Sequence, residues 1–268
     1  MPELIGAMHT HSTYSADGET DLDALAALFR ARGYGFAAVT EHAEDLPAEA
    51  MRAYVDRCRR LSDDGFCLIP GLEVRSSEGL HVVGVRVTEH IAGGPASVVI
   101  RAIQRQGGLA ILAHARPGQD AQLAARDAVP DGLELWNTKY DSRYAPRLHR
   151  FAMFRRLRAR NPELRGYCAV DYHWPTQYLG ARLAVQADRA DEAEILESLR
   201  AGRFTPRVGD TAIDPAGRLT PDQVARFALW GCYTRPLLGS INGMKRTARA
   251  LRLPLPKRSL RRLLLKVT

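Results

Sequence analysis

MHTHSTYSADG, residues 8–18, follows a short apolar run, Leu4–Met8, and passes at once into polar, turn-forming sequence. An apolar run of that length bounded by turn residues reads as a buried strand. Its two histidines stand where the strand ends. In extended chain, residues i and i+2 point to the same side, so His9 and His11 are placed to grip one metal ion or two adjacent ones. The arrangement recurs along the chain. Phe36–Thr40 is followed by His42, Phe66–Pro70 by Glu73, Leu109–Ala113 by His114, and Gly166–Val170 by Asp171 and His173. Leu80–Val87, Gly132–Trp136 and Arg182–Ala187 complete seven or eight predicted strands.

Helical patterns fall between the strands, at Asp21–Arg32, Ala48–Asp63, Ala96–Gln106, Pro146–Arg160 and Asp191–Ala201. Thr20 and Asp21 ahead of Asp23 mark a helix start, and Gly33 and Gly202 mark stops. Strands alternating with helices give the α/β class, and this many units in so short a chain favour a compact, distorted (β/α)7-type barrel over an open sheet. One connection breaks the rhythm. Glu73 and His81 are separated only by VRSSEGL, seven residues, whereas a parallel crossover needs about a dozen or more. The strands there are expected to pair antiparallel, which brings His81 near Glu73.

In a β/α barrel the C-terminal strand ends form one rim, where sites are built. His9, His11, His42, Glu73, His114, Asp171 and His173 therefore converge, with Asp17 on a loop of the same rim. Imidazoles and carboxylates without thiolate suit Zn, Mn or Fe at a catalytic site, and do not resemble a closed structural zinc. Cys58, Cys67, Cys168 and Cys232 form no CxxC pair and read as reduced thiols. His90 and His149 fall outside the pattern and read as surface residues. There is no GxGxxG after the first strand, no GxxxxGK[ST] and no GxSxG.

HTHSTYSADG, VTEHAE, IPGLEV, LHVVGV, ILAHARP, LELWN and VDYH, in that order, together resemble the polymerase and histidinol phosphatase (PHP) family over about residues 1–210. The resemblance implies a distorted seven-stranded barrel and a cluster of two or three divalent metals. It implies that His9, His11, Glu73 and Asp171 hold one metal. Glu73 would bridge to a second, completed by His81 and His114, and Asp17, His42 and His173 would hold a third. Glu41 departs from the family's more frequent Asp. Glu134 and Asn137 match the family's pattern, with Glu134 expected behind the metal ligands.

The implied activity is metal-dependent hydrolysis of a phosphate ester by metal-activated water, on a small or nucleotide-like substrate, with Mn, Zn and Fe all open. His42 or His173 could protonate the leaving group. Arg116 could fork onto a phosphate or lie on the surface, and Lys139 and Arg143 are weaker candidates. Trp174, Tyr14 and Tyr140 are open between stacking walls and packing residues. The alternatives are a nuclease and a non-catalytic, metal-stabilised module.

The 268 residues are 46% hydrophobic and 25% charged, which excludes a disordered or fibrous chain. No apolar run approaches the roughly 18–20 residues of a membrane span, and no basic-then-apolar leader is seen, so a cytoplasmic location is expected. The net charge of +8 is uneven. Residues 223–268 hold eleven of the 38 basic residues and no acid, leaving 27 basic against 30 acidic in the rest. The expected division is a barrel over residues 1–209 and a basic, partly helical extension over residues 210–268. SINGMKRTARALRL and SLRRLLLKVT in that extension are amphipathic. They could meet an anionic membrane surface or nucleic acid, or lie as a solvated helix on the barrel.

Overall fold

A computed structural model of the chain describes residues 2–124 and 128–250. The strands are β1 (Glu3–Thr10), β2 (Phe36–His42), β3 (Cys67–Arg75), β4 (His81–Val85), β5 (Leu109–Ala113), β6 (Gly132–Asn137), β7 (Arg165–Ala169), β8 (Ala181–Gln186), β9 (Phe204–Val208) and β10 (Thr211–Ala212). The helices are α1 (Leu22–Ala31), α2 (Ala48–Arg60), α3 (Ala96–Arg105), α4 (Gln119–Ala124), α5 (Leu148–Arg158), α6 (Glu192–Ala201) and α7 (Pro221–Ala250). The strands form one curled sheet in the order β10-β9-β8-β1-β2-β3-β4-β5-β6-β7. β1, β2 and β3 run parallel, as do β5, β6 and β7, while β4 is antiparallel to both neighbours. The short VRSSEGL connection thus makes the antiparallel pair that its length requires. Beyond β7, backbone bonds from Val170 to Met8 and from His11 to Tyr172 stitch the far edge back to β1. They pull the sheet's upper rim toward closure, which gives the distorted α/β barrel expected from the alternation.

Alternation along the strands sorts two cores. Phe36, Ala38, Cys67, Ile69, Val83, Val85, Leu109 and Ile111 face the barrel interior, whereas Ala37, Val39, Leu68, Val82, Ala110 and Leu112 face the helices. Gly6 keeps the interior passable, because a Cβ there would stand 1.9 Å from the Phe36 ring. Ile195, Leu196 and Leu199 of α6 join the inner cluster with Leu109, the first residue of β5, and Tyr167 of β7, so α6 corks the lower end. Its boundaries follow from local chemistry. Asp21 and Asp191 cap α1 and α6 by accepting the N–H of Ala24 and Glu194, and Gly202 ends α6 at φ +73°.

The sequence patterns miss α4, β9 and β10. The stretch GDTAIDPAGRLTPDQ, residues 209–223, contains β10 and packs Ile213 into the outer core. Instead of separate short segments, α7 runs through Pro236 as one helix. Its start docks on the barrel: Phe227 is fully buried edge-on against Trp136, and Trp230 stacks on Tyr144. The side chains of Ile241, Met244 and Ala248, and all of residues 251–268 with SLRRLLLKVT, lie outside the described residues. No helix among the described residues is long and apolar enough to cross a membrane.

Phe227→Ala removes a ring from this junction and is expected to lower unfolding free energy by about 3 kcal/mol. Leu229→Ala, at an exposed position of the same helix, is expected to change it by less than about 0.5 kcal/mol. Urea unfolding of both variants checks the pair; equal effects would show that α7 does not share the barrel's core.

Candidate metal centre

Glu73 ends an inward-facing row on β3, and five imidazoles surround its carboxylate. Its Oε1 lies 2.7 Å from His81 Nδ1 and 3.0 Å from His114 Nε2; its Oε2 lies 3.2 Å from His42 Nδ1, 3.3 Å from His9 Nε2 and 3.4 Å from His11 Nε2. Asp171 Oδ1 stands 3.8 Å from His9 Nε2 and 3.3 Å from His173 Nδ1. Asp17 bridges His42 and His173 at the outer edge, 3.2 Å from each. All nine acid and histidine positions singled out in the sequence meet in one rim cluster.

The backbone explains how some of them arrive. Met8 and Ala113 face the interior, so by alternation the next residues, His9 and His114, would face the helices. Both instead take left-handed backbone, at φ +62° and +28°, and turn back over the barrel mouth. Asp171 is left-handed too, at φ +51°. Three of the four non-glycine residues with positive φ among the described residues are therefore in this cluster, the expected location of stored backbone strain. The β1–β2 register shifts between Ala7 and Thr10. His9 and His11 therefore share a target through a bulge, not through the regular extended alternation that their spacing suggests. Gly18 tightens the loop bearing Asp17, since a Cβ there would stand 1.9 Å from the Ser12 carbonyl oxygen.

Buried partners behind the cluster set the tautomers. His9 Nδ1–H donates to Glu134 Oε1 at 2.6 Å. Glu134 also accepts the backbone N–H of His114 (2.7 Å) and the Asn137 amide (2.8 Å). The β6 register shift between Glu134 and Trp136 puts Leu135 and Trp136 both on the outer side and lets Asn137 face inward with Glu134. Ser15 Oγ donates to Glu41 at 2.6 Å, so its oxygen accepts from His11 Nδ1–H at 3.2 Å. Glu41 thus orients His11 through a serine relay. In both histidines Nδ1 donates to these partners and Nε2 faces the carboxylates. These two Nε2 atoms are buried and have no hydrogen-bond partner. Buried polar atoms left this way call for an explanation, and a metal between imidazole and carboxylate supplies one.

Among the described residues, four groups have donor atoms close enough to share an ion: His9, His11 and Glu73; Glu73, His81 and His114; His9, His114 and Asp171; and His11, His42 and His173. The residues fit divalent cations. The protein's own charges balance otherwise. Burial opposes ionisation of Glu73, but the charge of His9 and bonds from His114, His42 and His81 hold it well below the usual carboxylate range. Burial is likewise overcome at Asp171 by Lys139, His9 and His173. Burial would lower His42, yet bonds to Asp17 and Glu73 raise it to about 10. His9 is raised for the same reason, by Asp171, Glu134 and Glu73. His11, buried beside the charged His9, is driven down.

Other candidates divide. Lys139, weakly signalled in the sequence, is in the cluster: its Nζ donates to Asp171 Oδ1 at 3.0 Å and to His173 Nε2 at 2.8 Å. The Arg116 side chain is exposed, two residues beyond His114. Tyr140 forms a partly exposed lip, its ring 4.5 Å from His114. Tyr14 packs edge-on against Tyr54, and Trp174 lies half-buried beside His173. His90 and His149 are outside the cluster but half-buried, bonded to the carbonyls of Leu46 and Ala115.

No family model matches the chain, and no curated protein matches it. Solved structures do. A two-domain protein from Bacteroides vulgatus ATCC 8482, containing a predicted PHP-like metal-dependent phosphoesterase, is 19% identical with a TM-score of 0.54, over 84% of this chain and 69% of that one. The lesion-specific endonuclease PfuEndoQ from Pyrococcus furiosus is 16% identical with a TM-score of 0.57, over 80% of this chain and 60% of that one, so this chain spans less than two thirds of its length. PsfC from Pseudomonas syringae PB-5123 is 14% identical with a TM-score of 0.50, over 88% of this chain and all of that one. The chain has the PHP-type fold that its motifs resemble.

Metal uptake by His9 and His42 must displace their protons. Loading with Mn is therefore expected to release protons and to tighten as pH rises from 6 to 8. Titration calorimetry in two buffers of different ionisation enthalpy measures this; pH-independent uptake without proton release would contradict it. Glu134→Gln is expected to weaken metal binding about 10–100-fold.

Proposed function

We propose that the protein is a metal-dependent phosphoesterase, holding two or three divalent ions among His9, His11, Asp17, His42, Glu73, His81, His114, Asp171 and His173. The observation that carries this is the pair of buried, unpartnered Nε2 atoms of His9 and His11 aimed at two ionised carboxylates. A structural site is closed by a full set of protein ligands and leaves no open position; here Asp17, His42 and His81 lie at the partly exposed rim side of the cluster. That accessible side favours catalysis over a merely metal-stabilised module. Mn, Zn and Fe all suit the donor set.

When bound, the cations supply positive charge to the phosphoryl oxygens and acidify water. The chain's own groups do the rest. Glu134 and the Glu41–Ser15 relay hold His9 and His11 in the tautomer that faces the ions. Lys139 carries an ammonium beside Asp171, and it keeps its proton because the attraction of Asp171 outweighs burial. It is positioned to neutralise a phosphate oxygen as charge develops. Arg116 serves as an outer phosphate partner. With only two ions bound, His42 or His173, left free of metal and linked through Asp17 at the mouth, would deliver the proton to the leaving oxygen. The floor of the barrel is apolar and packed, which keeps bulk water to the rim side.

A second reading, hydrolysis of nucleic-acid phosphodiesters, is favoured by the likeness to PfuEndoQ and by the basic extension. The experiment is phosphate release by Mn-loaded protein over a panel of sugar, amino-acid and nucleotide monophosphates, with a diester probe. His9→Ala and Asp171→Ala are expected to lose turnover, and Lys139→Ala to lower kcat/KM about 10–100-fold. Turnover that survives in the His9 and Asp171 variants would overturn the reading, as would none in wild-type protein carrying its metals.

A further inference from the structure

We infer that Arg75 clamps the substrate's phosphoryl group, and that the cleft beside it takes the substrate's alcohol portion, a compact aliphatic chain. This rests on the phosphoesterase reading and adds to it a binding residue and a leaving-group class.

The β3–β4 ladder places Arg75. Pairing is regular from Gly71 with Val85, through Glu73 with Val83, to Arg75 with His81. Val83 and Val85 face the barrel interior. Residues two apart in a strand share a face, so Arg75 stands on the face of Glu73, directly opposite His81. Opposed residues have Cβ atoms about 4.5–5.5 Å apart. Two residues of strand, roughly 7 Å, separate Arg75 from Glu73, a length that the three-methylene stem and guanidinium can fold back over. This is also the open side of the cluster: His42 and His81 are the most exposed of the five imidazoles around Glu73.

The guanidinium is uncommitted. Arg75 is exposed, and among the described residues no hydrogen bond or ion pair holds it. By contrast, Arg147 and Arg150 are both tied to Asp141. A free fork of N–H donors beside a cation cluster matches the oxygens of a phosphoryl group.

The cleft measures about 520 Å³ and adjoins the cluster through the backbone. Ala43 and Glu44 follow His42, Val74 and Arg75 follow Glu73, and all four line it. His42 pairs with Glu73, and the Ala43 N–H donates to the Glu73 carbonyl oxygen at 3.0 Å. The cleft therefore starts one residue beyond two members of the cluster. Ala43 and Val74 belong to the outer core, so it lies over the outward side of the rim. Arg75 comes from the inward face, and the cluster and the cleft meet at its side chain. Ile91 and Ala92, from the loop after β4, add apolar lining, and no Phe, Tyr or Trp is among the described lining residues. Such walls suit a short aliphatic chain whose phosphoryl end lies at Arg75. A merely solubilising arginine would also be free, but it would need neither the face of Glu73 nor a cleft at its stem.

The test uses full-length, Mn-loaded protein. In calorimetric titrations with inorganic phosphate, Arg75→Gln is expected to bind about ten-fold more weakly than wild type at equal Mn content. Arg75→Lys is expected to fall between them, because a point charge lacks the fork. Over ethyl, butyl and hexyl phosphate, wild-type kcat/KM is expected to rise at least about three-fold from ethyl to butyl as methylenes enter the cleft. Ala92→Trp, which fills the cleft, is expected to flatten that rise. Arg75 and Ala92 are both exposed, so the fold stands in each variant, and thermal unfolding checks this. Wild type that binds no phosphate or ignores chain length overturns the inference. So does folded Arg75→Gln that binds phosphate as wild type does, or folded Ala92→Trp that keeps the chain-length profile. Turnover accompanying any of these results spares the metal centre. Phosphate binding that depends on Arg75, without turnover of any ester, overturns the phosphoesterase reading instead.

Discussion

The structure depends on keeping the Glu73 carboxylate ionised where water is largely excluded. An unpaired charge at that depth costs several kcal/mol, and the fold meets this by delivering imidazoles from β1, β2, β4 and the end of β5 to its two oxygens. Asp171 and Glu134 repeat the demand on the other side of His9. Three buried acids and an array of histidines in one place make a poor hydrophobic core but a coherent cation trap. Lys139 now carries part of the positive charge there, beside Asp171 and His173.

Holding those groups together requires local departures from regular structure. A strand presents alternate residues to the interior, and a strict alternation would send His9 and His114 outward. Left-handed backbone at both positions, a bulge in β1 and another in β6 re-aim the side chains without changing the strands beneath. Such residues cost of order 1–3 kcal/mol each, and the packed strands below over-determine them. The short β3–β4 connection is part of the same design: it brings His81 to Glu73 from the antiparallel direction, with Glu73 two residue pairs from the end of the pairing.

Much of this was legible in the sequence because it rests on periodicity. Apolar runs of five to eight residues separated by amphipathic helices give the barrel, and strand-end acids and histidines give the rim. The less legible parts depend on a single backbone angle or on tertiary contact. Nothing in MHTH distinguishes a bulge from a regular strand, since His9 and His11 converge either way. Lys139 follows Asn137 in a polar loop, and only the loop's path returns its ammonium to Asp171. Arg116 carries a stronger local signal, inside the ILAHARP motif, and its side chain is exposed. In α7, Gly231, Pro236, Gly239 and Gly243 all suggest breaks. The burial of Phe227, Trp230 and Thr234 along one helical face outweighs those propensities at its start.

The cork formed by α6 has a kinetic side. A barrel packed with Phe36, Ile69, Ile111 and Tyr167 and lined below by Ile195 and Leu199 offers no passage through its interior. Whatever reacts at the rim arrives and leaves on the solvent side. On the proposed chemistry the phosphate released there would meet the same cations as each incoming ester, so product and substrate would compete for one mouth.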